Sequence, residues 1–178
     1  MQGSDEFGTV DPAMNKRSFS ERDICTKFIT PALEQAGWDI GRQVLEEYSF
    51  TKGRVIVRGK MAARGKAQRA DYLLSVKPNI PIAVIEAKDN SHSVGDGLQQ
   101  AIGYAQALEV PFAISSNGDG FILHDRTDLA DQTETALTLD QFPSPDELWR
   151  RYAAWRGLEQ EESERAFLHP YYEDGSGK

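Results

Sequence analysis

Cysteine is almost missing from this chain: Cys25 is the only one in 178 residues, so no internal disulfide and no cysteine-rich zinc site can form. Histidine is scarce as well. His92, His124 and His169 are scattered without ligand spacing, which assigns each a structural or solvated role. No apolar run approaches the roughly 18 residues of a membrane span, and no charged stretch followed by a hydrophobic one marks a signal peptide. The expectation is a cytoplasmic protein with no membrane partner. A nucleotide-binding loop is lacking too, because the glycines at Gly59 and Gly65 are spaced one residue too far apart and Ala67 stands where Ser or Thr is required. One last absence is local: between Tyr48 and Ala70 there is no acidic residue.

That acid-free stretch carries Lys52, Arg54, Arg58, Lys60, Arg64, Lys66 and Arg69. The net charge of −8 argues at first against a nucleic-acid partner. Concentrating seven cations in one segment reverses the argument locally, because such a strip can follow a phosphate backbone. Lys52, Arg58, Lys60, Lys66 and Arg69 are the candidate DNA contacts. With 39% hydrophobic residues the chain suits one globular domain. Residues 1–13 read as an expression-vector scar, with Met14 as a natural start. Residues 14–156 form the expected domain and the acidic residues 157–178 a linker.

The basic strip runs directly into Asp71. From there, 71–76 and 82–88 read as two strands joined by the turn-rich Lys77-Pro78-Asn79-Ile80-Pro81, which makes an antiparallel hairpin the economical arrangement. A turn centred on Asn79 predicts Asp71 opposite Ala87, flanked by Glu86 and Lys88. Two carboxylates and an ammonium then meet at one point. Carboxylates brought together repel unless a cation or a shared proton relieves them. A hard divalent cation fits, and Mg²⁺ uses one or two carboxylates while leaving its other positions to water and substrate phosphate. The backbone carbonyl of Ala87 offers another oxygen, and Lys88 is placed to serve the attacking water or the charge on the phosphate.

Residues 94–108 predict a helix on which Gln100 and Tyr104, four apart, share a face. Upstream, Ser20-Glu21-Arg22-Asp23 predicts a capping box opening a helix with an apolar stripe of Ile24, Phe28, Ile29, Ala32 and Ala36, kinked at Pro31 and ended by Gly37. Further strands are expected at 43–48, 54–58, 112–116 and 121–125, the last two joined by the turn Asn117-Gly118-Asp119-Gly120. A loop is expected over 126–138 and a final helix from Pro145, packing through Leu148, Tyr152 and Trp155. A strand, crossover helix and further strand imply an α/β/α sandwich around a mixed sheet. Its core should draw on Leu73, Ile82, Val84, Ile85, Ile102, Phe112, Ile114 and Ile122.

Asp71 followed by Glu86-Ala87-Lys88 resembles the PD-(D/E)xK nuclease superfamily, with Ala70 in place of its proline. Gln100-Ala-Ile-Gly-Tyr104 resembles the Q-x-x-x-Y motif of the subgroup that contains the restriction (R) subunits of type I restriction enzymes. Ser20-Glu21, Pro31-Ala32-Leu33, Ala36-Gly37-Trp38, Arg58-Gly59-Lys60, Arg69-Ala70-Asp71-Tyr72 and Asn117-Gly118-Asp119-Gly120 continue the likeness in order from about Ser20 to Asp125. The resemblance implies a restriction-endonuclease-like fold and an endonuclease domain that hydrolyses DNA phosphodiester bonds with Mg²⁺. It implies Asp71, Glu86, Lys88, Gln100 and Tyr104 as catalytic residues, with Glu21 as a further residue reaching the metal held by Asp71, Glu86 and Ala87. It also implies double-stranded DNA and the specificity and modification subunits as partners, with ATP acting only through a motor outside this chain. Two alternatives stand beside it: a stand-alone or repair nuclease of the same superfamily, and an inactive nuclease fold used for DNA binding or assembly.

Overall fold

A computed structural model describes residues 15–51, 66–158 and 160–168. The expected vector scar, the strand at 54–58, Lys52, Arg58, Lys60 and His169 lie outside the described residues. Among the described residues six strands form one sheet in sequence order: β1 (Val44–Thr51), β2 (Ala67–Lys77), β3 (Ile80–Ala87), β4 (Phe112–Ser116), β5 (Phe121–Asp125) and β6 (Glu134–Leu137). All neighbours are antiparallel except β3 and β4. That parallel pair needs a crossover, supplied by α4 (Leu98–Ala107). The outcome is the expected mixed sheet between helical layers.

On one face, α1 (Glu21–Ile24), a π-helical stretch (Cys25–Ile29) and α2 (Thr30–Gln35) pack with α5 (Pro145–Arg156) against Tyr72, Leu74, Ile85, Phe112, Ile114, Phe121 and Leu123. The other face holds a smaller core in which Ala101, Tyr104 and Ala105 of α4 meet Leu73, Val84 and Ala113. The strands between these layers are buried on both sides, which is why β3 reads as a continuous apolar run. Ile102 and Ile122, expected in the core, lie at its margin and are only partly buried. Trp155 is likewise partly buried, whereas Leu148 and Tyr152 are fully packed.

The capping box forms, with the Ser20 side chain accepting from the Asp23 N–H and Asp23 accepting from the Ser20 N–H. At Pro31, where a kink is expected, the helix departs from regular α geometry. Proline has no N–H to give the preceding turn, and the chain widens into the π-helical stretch just before it, with the Thr30 N–H reaching Cys25 O, before continuing as α2. A short α3 (Ile40–Gln43), capped by Asp39, occupies the start of the strand expected at 43–48. The helix expected over 94–108 begins only at Leu98, because Val94–Gly97 is a turn tied down by Ser115.

Two segments expected to be irregular are ordered. β6 lies in the expected loop over 126–138: it is an exposed edge strand, so it lacks the apolar alternation that marks a half-buried one. Within the expected linker, α6 (Glu161–Leu168) carries an Arg165–Glu161 pair one turn apart. The Phe167 ring of α6 stands 6.3 Å from that of Tyr152.

The turn after β4 is structural, as expected, and it also fastens the first helix. Gly118 has φ +88°, and a Cβ there would lie 3.1 Å from Ile24 Cδ1 and 3.2 Å from Phe28 Cδ2. Lys16 Nζ reaches Gly118 O at 3.2 Å and Asp119 Oδ1 at 3.1 Å. Gly118→Ala therefore combines a left-handed backbone with overpacking and is expected to cost about 1–3 kcal/mol in urea denaturation. A loss below about 0.5 kcal/mol, the range of ordinary surface substitutions, would contradict this packing of α1.

Candidate active site

The β2–β3 register differs from the expected one by a residue. Tyr72 pairs with Ile85, Leu73 with Val84 and Leu74 with Ala83, with irregularities around Ser75 toward the turn. Continued outward, this register brings Asp71 beside Glu86 rather than opposite Ala87. Glu86 lies beneath the start of α4, close to Gly97, while Asp71 lines the cleft beside Glu21 of α1. The ladder stops at Tyr72 and Ile85, and the Asp71 carboxylate takes over as the acceptor for the next N–H, that of Ala87, at 2.7 Å.

Across β2 on its other edge, the β1 pairing is also interrupted beside Asp71. Glu46 pairs with Tyr72 and Tyr48 with Ala70, while the intervening Glu47 adopts φ +49°. This local irregularity helps open a cleft of about 240 Å³ whose walls include Glu21, Arg22, Glu46, Glu47, Arg69 and Asp71. A larger cavity of about 560 Å³ lies beside β5 and α5, lined by Leu123, Asp125 and Arg151 among others. It contains none of the candidate site residues.

Glu86 is only 5% exposed, and its Oε2 has no hydrogen-bond partner. Burial, reinforced by the nearby Asp71 charge, pushes its carboxyl up to about 7 against the pull of Lys88. Burial also raises Asp71, although the Ala87 N–H, Lys88 and Arg69 oppose the shift. Lys88, just beyond the end of β3, reaches Glu86 Oε1 at 3.2 Å and Glu21 Oε1 at 3.8 Å. Burial of the ammonium works toward loss of its proton, but Glu86, Glu21 and Asp71 outweigh burial and hold Lys88 above its ordinary range.

Lys88 Nζ also donates to Gln100 Oε1 at 3.1 Å, and Gln100 Nε2 donates to Tyr104 Oη at 2.7 Å. The ammonium can only donate, so the amide must present its oxygen to Lys88 and its nitrogen to the phenol. Tyr104 is thereby an acceptor, and its own O–H proton remains available for another group. The Tyr104 ring is fixed edge-on by Phe50, with centroids 5.2 Å apart.

The structure thus gathers Asp71, Glu86, Lys88, Gln100, Tyr104 and Glu21 around the end of β3. Lys66 and Arg69 are exposed at the start of β2, and Arg69 lines the cleft. The histidines are elsewhere: His92 bonds Asp96 and His124 bonds Glu134. Cys25 is a free thiol that burial pushes up to about 12. Among the described residues no group of three or more His, Cys, Asp and Glu side chains is gathered as a metal cage. What the site offers is the neighbouring carboxylates of Asp71 and Glu86, with Glu86 Oε2 buried and without a hydrogen-bond partner. That composition fits a partly hydrated Mg²⁺, which needs few protein ligands and does not fit an all-protein cage.

Residues 40–143 match the family described as the type I restriction enzyme R protein N terminus. The chain belongs to this family. It is 48% identical over 166 residues to the type I restriction enzyme EcoAI endonuclease subunit of Escherichia coli, an alignment covering 93% of this chain and 20% of that subunit. It also superposes with a TM-score of 0.70 and 39% identity on a fragment assigned to an HsdR subunit of a type I restriction enzyme from Vibrio vulnificus YJ016, covering 86% of this chain and 29% of that one. The chain therefore spans less than a third of the length of either relative. As an R-protein N-terminal domain it carries no helix, among the described residues, that is long and apolar enough to cross a membrane.

Sequence reasoning missed two residues beside Glu86, namely Gly97 and Ser115. The only signal was a pair of glycines, Gly95 and Gly97, where a helix was expected.

Proposed function

We propose that this domain is the endonuclease of a type I restriction R subunit and hydrolyses DNA phosphodiester bonds with Mg²⁺. The observation that supports it best is Glu86: a buried carboxylate with a free oxygen, beside Asp71 and paired with Lys88, in a chain of the R-protein N-terminal family. Asp71, Glu86 and the Ala87 carbonyl would hold the ion, with Glu21 nearby. When bound, Mg²⁺ supplies positive charge for phosphate oxygens and lowers the pKa of bound water.

The chain's own residues do the rest. Lys88 stays protonated, so it acts as a cation facing the developing phosphate charge rather than as the base that removes a proton from water. Gln100 fixes the Lys88 ammonium on one side and Tyr104 on the other, and the free Tyr104 O–H is a donor for a phosphate oxygen. Because both groups stand on one face of α4, a single rigid helix sets their spacing. The partners are double-stranded DNA and, in the assembled cytoplasmic enzyme, the specificity and modification subunits. ATP acts through a motor beyond this domain.

A motor also consumes Mg²⁺ with ATP, so removing metal from the whole enzyme does not isolate this site. Asp71→Asn in the full subunit does: DNA cleavage is expected to disappear while translocation persists, and cleavage at the wild-type rate would contradict the reading.

Lys66 and Arg69, together with Lys52, Arg58 and Lys60, are assigned to the DNA backbone. Neutralising Lys66 and Arg69 should flatten the plot of log affinity against log salt by about one unit for each phosphate no longer paired with a cation, equally for unrelated duplexes. An unchanged slope, or a weakening that depends on DNA sequence, would remove them from the backbone path.

A further inference from the structure

The free oxygen of Glu86 is unusual because polar hydrogen-bond donors surround the start of α4. Helix N-termini offer N–H groups that attract carboxylates. Two of these at the start of α4 are committed elsewhere. The Gly97 N–H donates to Ser115 Oγ at 3.1 Å, and the Leu98 N–H donates to Gly95 O at 2.9 Å. Ser115 Oγ in turn donates to Val94 O at 2.7 Å, so one fully buried hydroxyl closes the whole turn before the helix.

Register explains why this hydroxyl is in place. Glu86 and Ser115 are direct partners across the parallel β3–β4 pair, so both side chains rise on the α4 face. Gly97 lies over them. Its backbone is ordinary, with φ −85° and ψ −5°, so glycine is not demanded by conformation. It is demanded by space: a Cβ would lie 2.9 Å from Ser115 Oγ, 3.2 Å from Glu86 Cγ and 3.4 Å from Glu86 O. Such close approach forces something to move, and the nearest groups are a buried hydroxyl and the inner part of the Glu86 side chain, not a flexible tip.

We propose that Gly97 and Ser115 are positioning residues that reserve Glu86 Oε2 for the cation. Ser115 occupies the Gly97 N–H that a buried carboxylate would otherwise attract, and the missing Cβ of Gly97 leaves Glu86 its place beneath the helix. The inference rests on the proposed metal role of Glu86 and goes beyond it by naming what keeps that carboxylate unpartnered.

The test is calorimetric titration of the 178-residue chain with Mg²⁺ alone, without DNA, comparing wild type, Glu86→Gln, Gly97→Ala, Ser115→Ala and Gly103→Ala. Circular dichroism checks that each variant is folded. Gly103 lies in the same helix, and a Cβ there would meet nothing within 4 Å, so Gly103→Ala controls for a glycine-to-alanine change in α4. Glu86→Gln is expected to abolish binding. Gly97→Ala and Ser115→Ala are expected to weaken it about tenfold or more while remaining folded, and Gly103→Ala to leave it unchanged. Wild-type binding lost in Glu86→Gln but retained in both folded Gly97→Ala and Ser115→Ala would overturn the positioning role and leave the metal role standing. Equal weakening in Gly103→Ala would also overturn it. A wild-type chain that binds no Mg²⁺ would overturn both.

Discussion

Replacing Glu86 by Gln in the assembled restriction enzyme is expected to reduce DNA cleavage by about a thousandfold or more, with ATP hydrolysis unchanged. A cation on a phosphoryl oxygen contributes several kcal/mol to transition-state stabilisation, and about 4 kcal/mol corresponds to three orders of magnitude in rate. Glutamine keeps the size of the side chain but removes the charge that would hold the ion. Lys88→Ala should be comparably damaging for a different reason. It removes the cation proposed to face the phosphate and leaves buried Glu86 with the negative charges of Asp71 and Glu21 unopposed by Lys88. The two variants are expected to part company in metal binding: Glu86→Gln should lose Mg²⁺, whereas Lys88→Ala, freed of a competing positive charge, should keep it. Cleavage retained in either variant would remove that residue from the mechanism. Loss of ATP hydrolysis in both would point to assembly instead.

The same substitution should stabilise the metal-free chain at neutral pH and above. Glu86 has its carboxyl raised from 4.5 to about 7, so the folded state holds a proton that the unfolded chain releases near 4.5. Protons bound preferentially by the folded state make stability fall as pH rises. The loss therefore develops across roughly pH 4.5 to 7 and is complete above it. The raised carboxyl corresponds to up to about 3 kcal/mol. Asp71 is raised too and adds a loss of the same sign. Lys88 is raised in its turn, so its contribution is lost only at alkaline pH, outside this window.

Glu86→Gln removes its share of the penalty, and for a chain of this size Tm at pH 8 without metal should rise by up to roughly 10 °C, with little difference at pH 4. Mg²⁺ should stabilise wild type more at pH 8 than at pH 5, because it binds the ionised form. Thermal denaturation at several pH values, with and without Mg²⁺, reads all of this. A Tm for Glu86→Gln equal to wild type throughout would mean that Glu86 carries no such strain.

The strand-forming runs were legible because both faces of β3 and β4 are buried, so apolar continuity survives in the sequence. The helix starting at Ser20 was legible through its capping box, which is a local hydrogen-bond pattern. β6 was not, because an exposed edge strand leaves no apolar period, and the start of α4 was misplaced because a hydroxyl on β4, distant in sequence, ties down the preceding turn. The proximity of the candidate residues was legible: Asp71, Glu86, Lys88, Gln100, Tyr104 and Glu21 are brought together.

Its geometry was harder to read. A turn centred on Asn79 gave a register one residue off, since the irregularity around Ser75 is invisible to a symmetric hairpin. The part played by Ser115 was hidden for a related reason, because a serine inside a buried strand has no signature until its parallel partner is known.

Diffraction from crystals of the chain soaked in Mn²⁺, a hard cation with a strong anomalous signal, tests the central claim most directly. One anomalous peak is expected between the Asp71 and Glu86 carboxylates, within about 2.0–2.3 Å of an oxygen of each, with Glu86 Oε2 as a ligand. The absence of a peak there, or a Mn²⁺ ion held elsewhere in the chain, would contradict the assignment of Asp71 and Glu86.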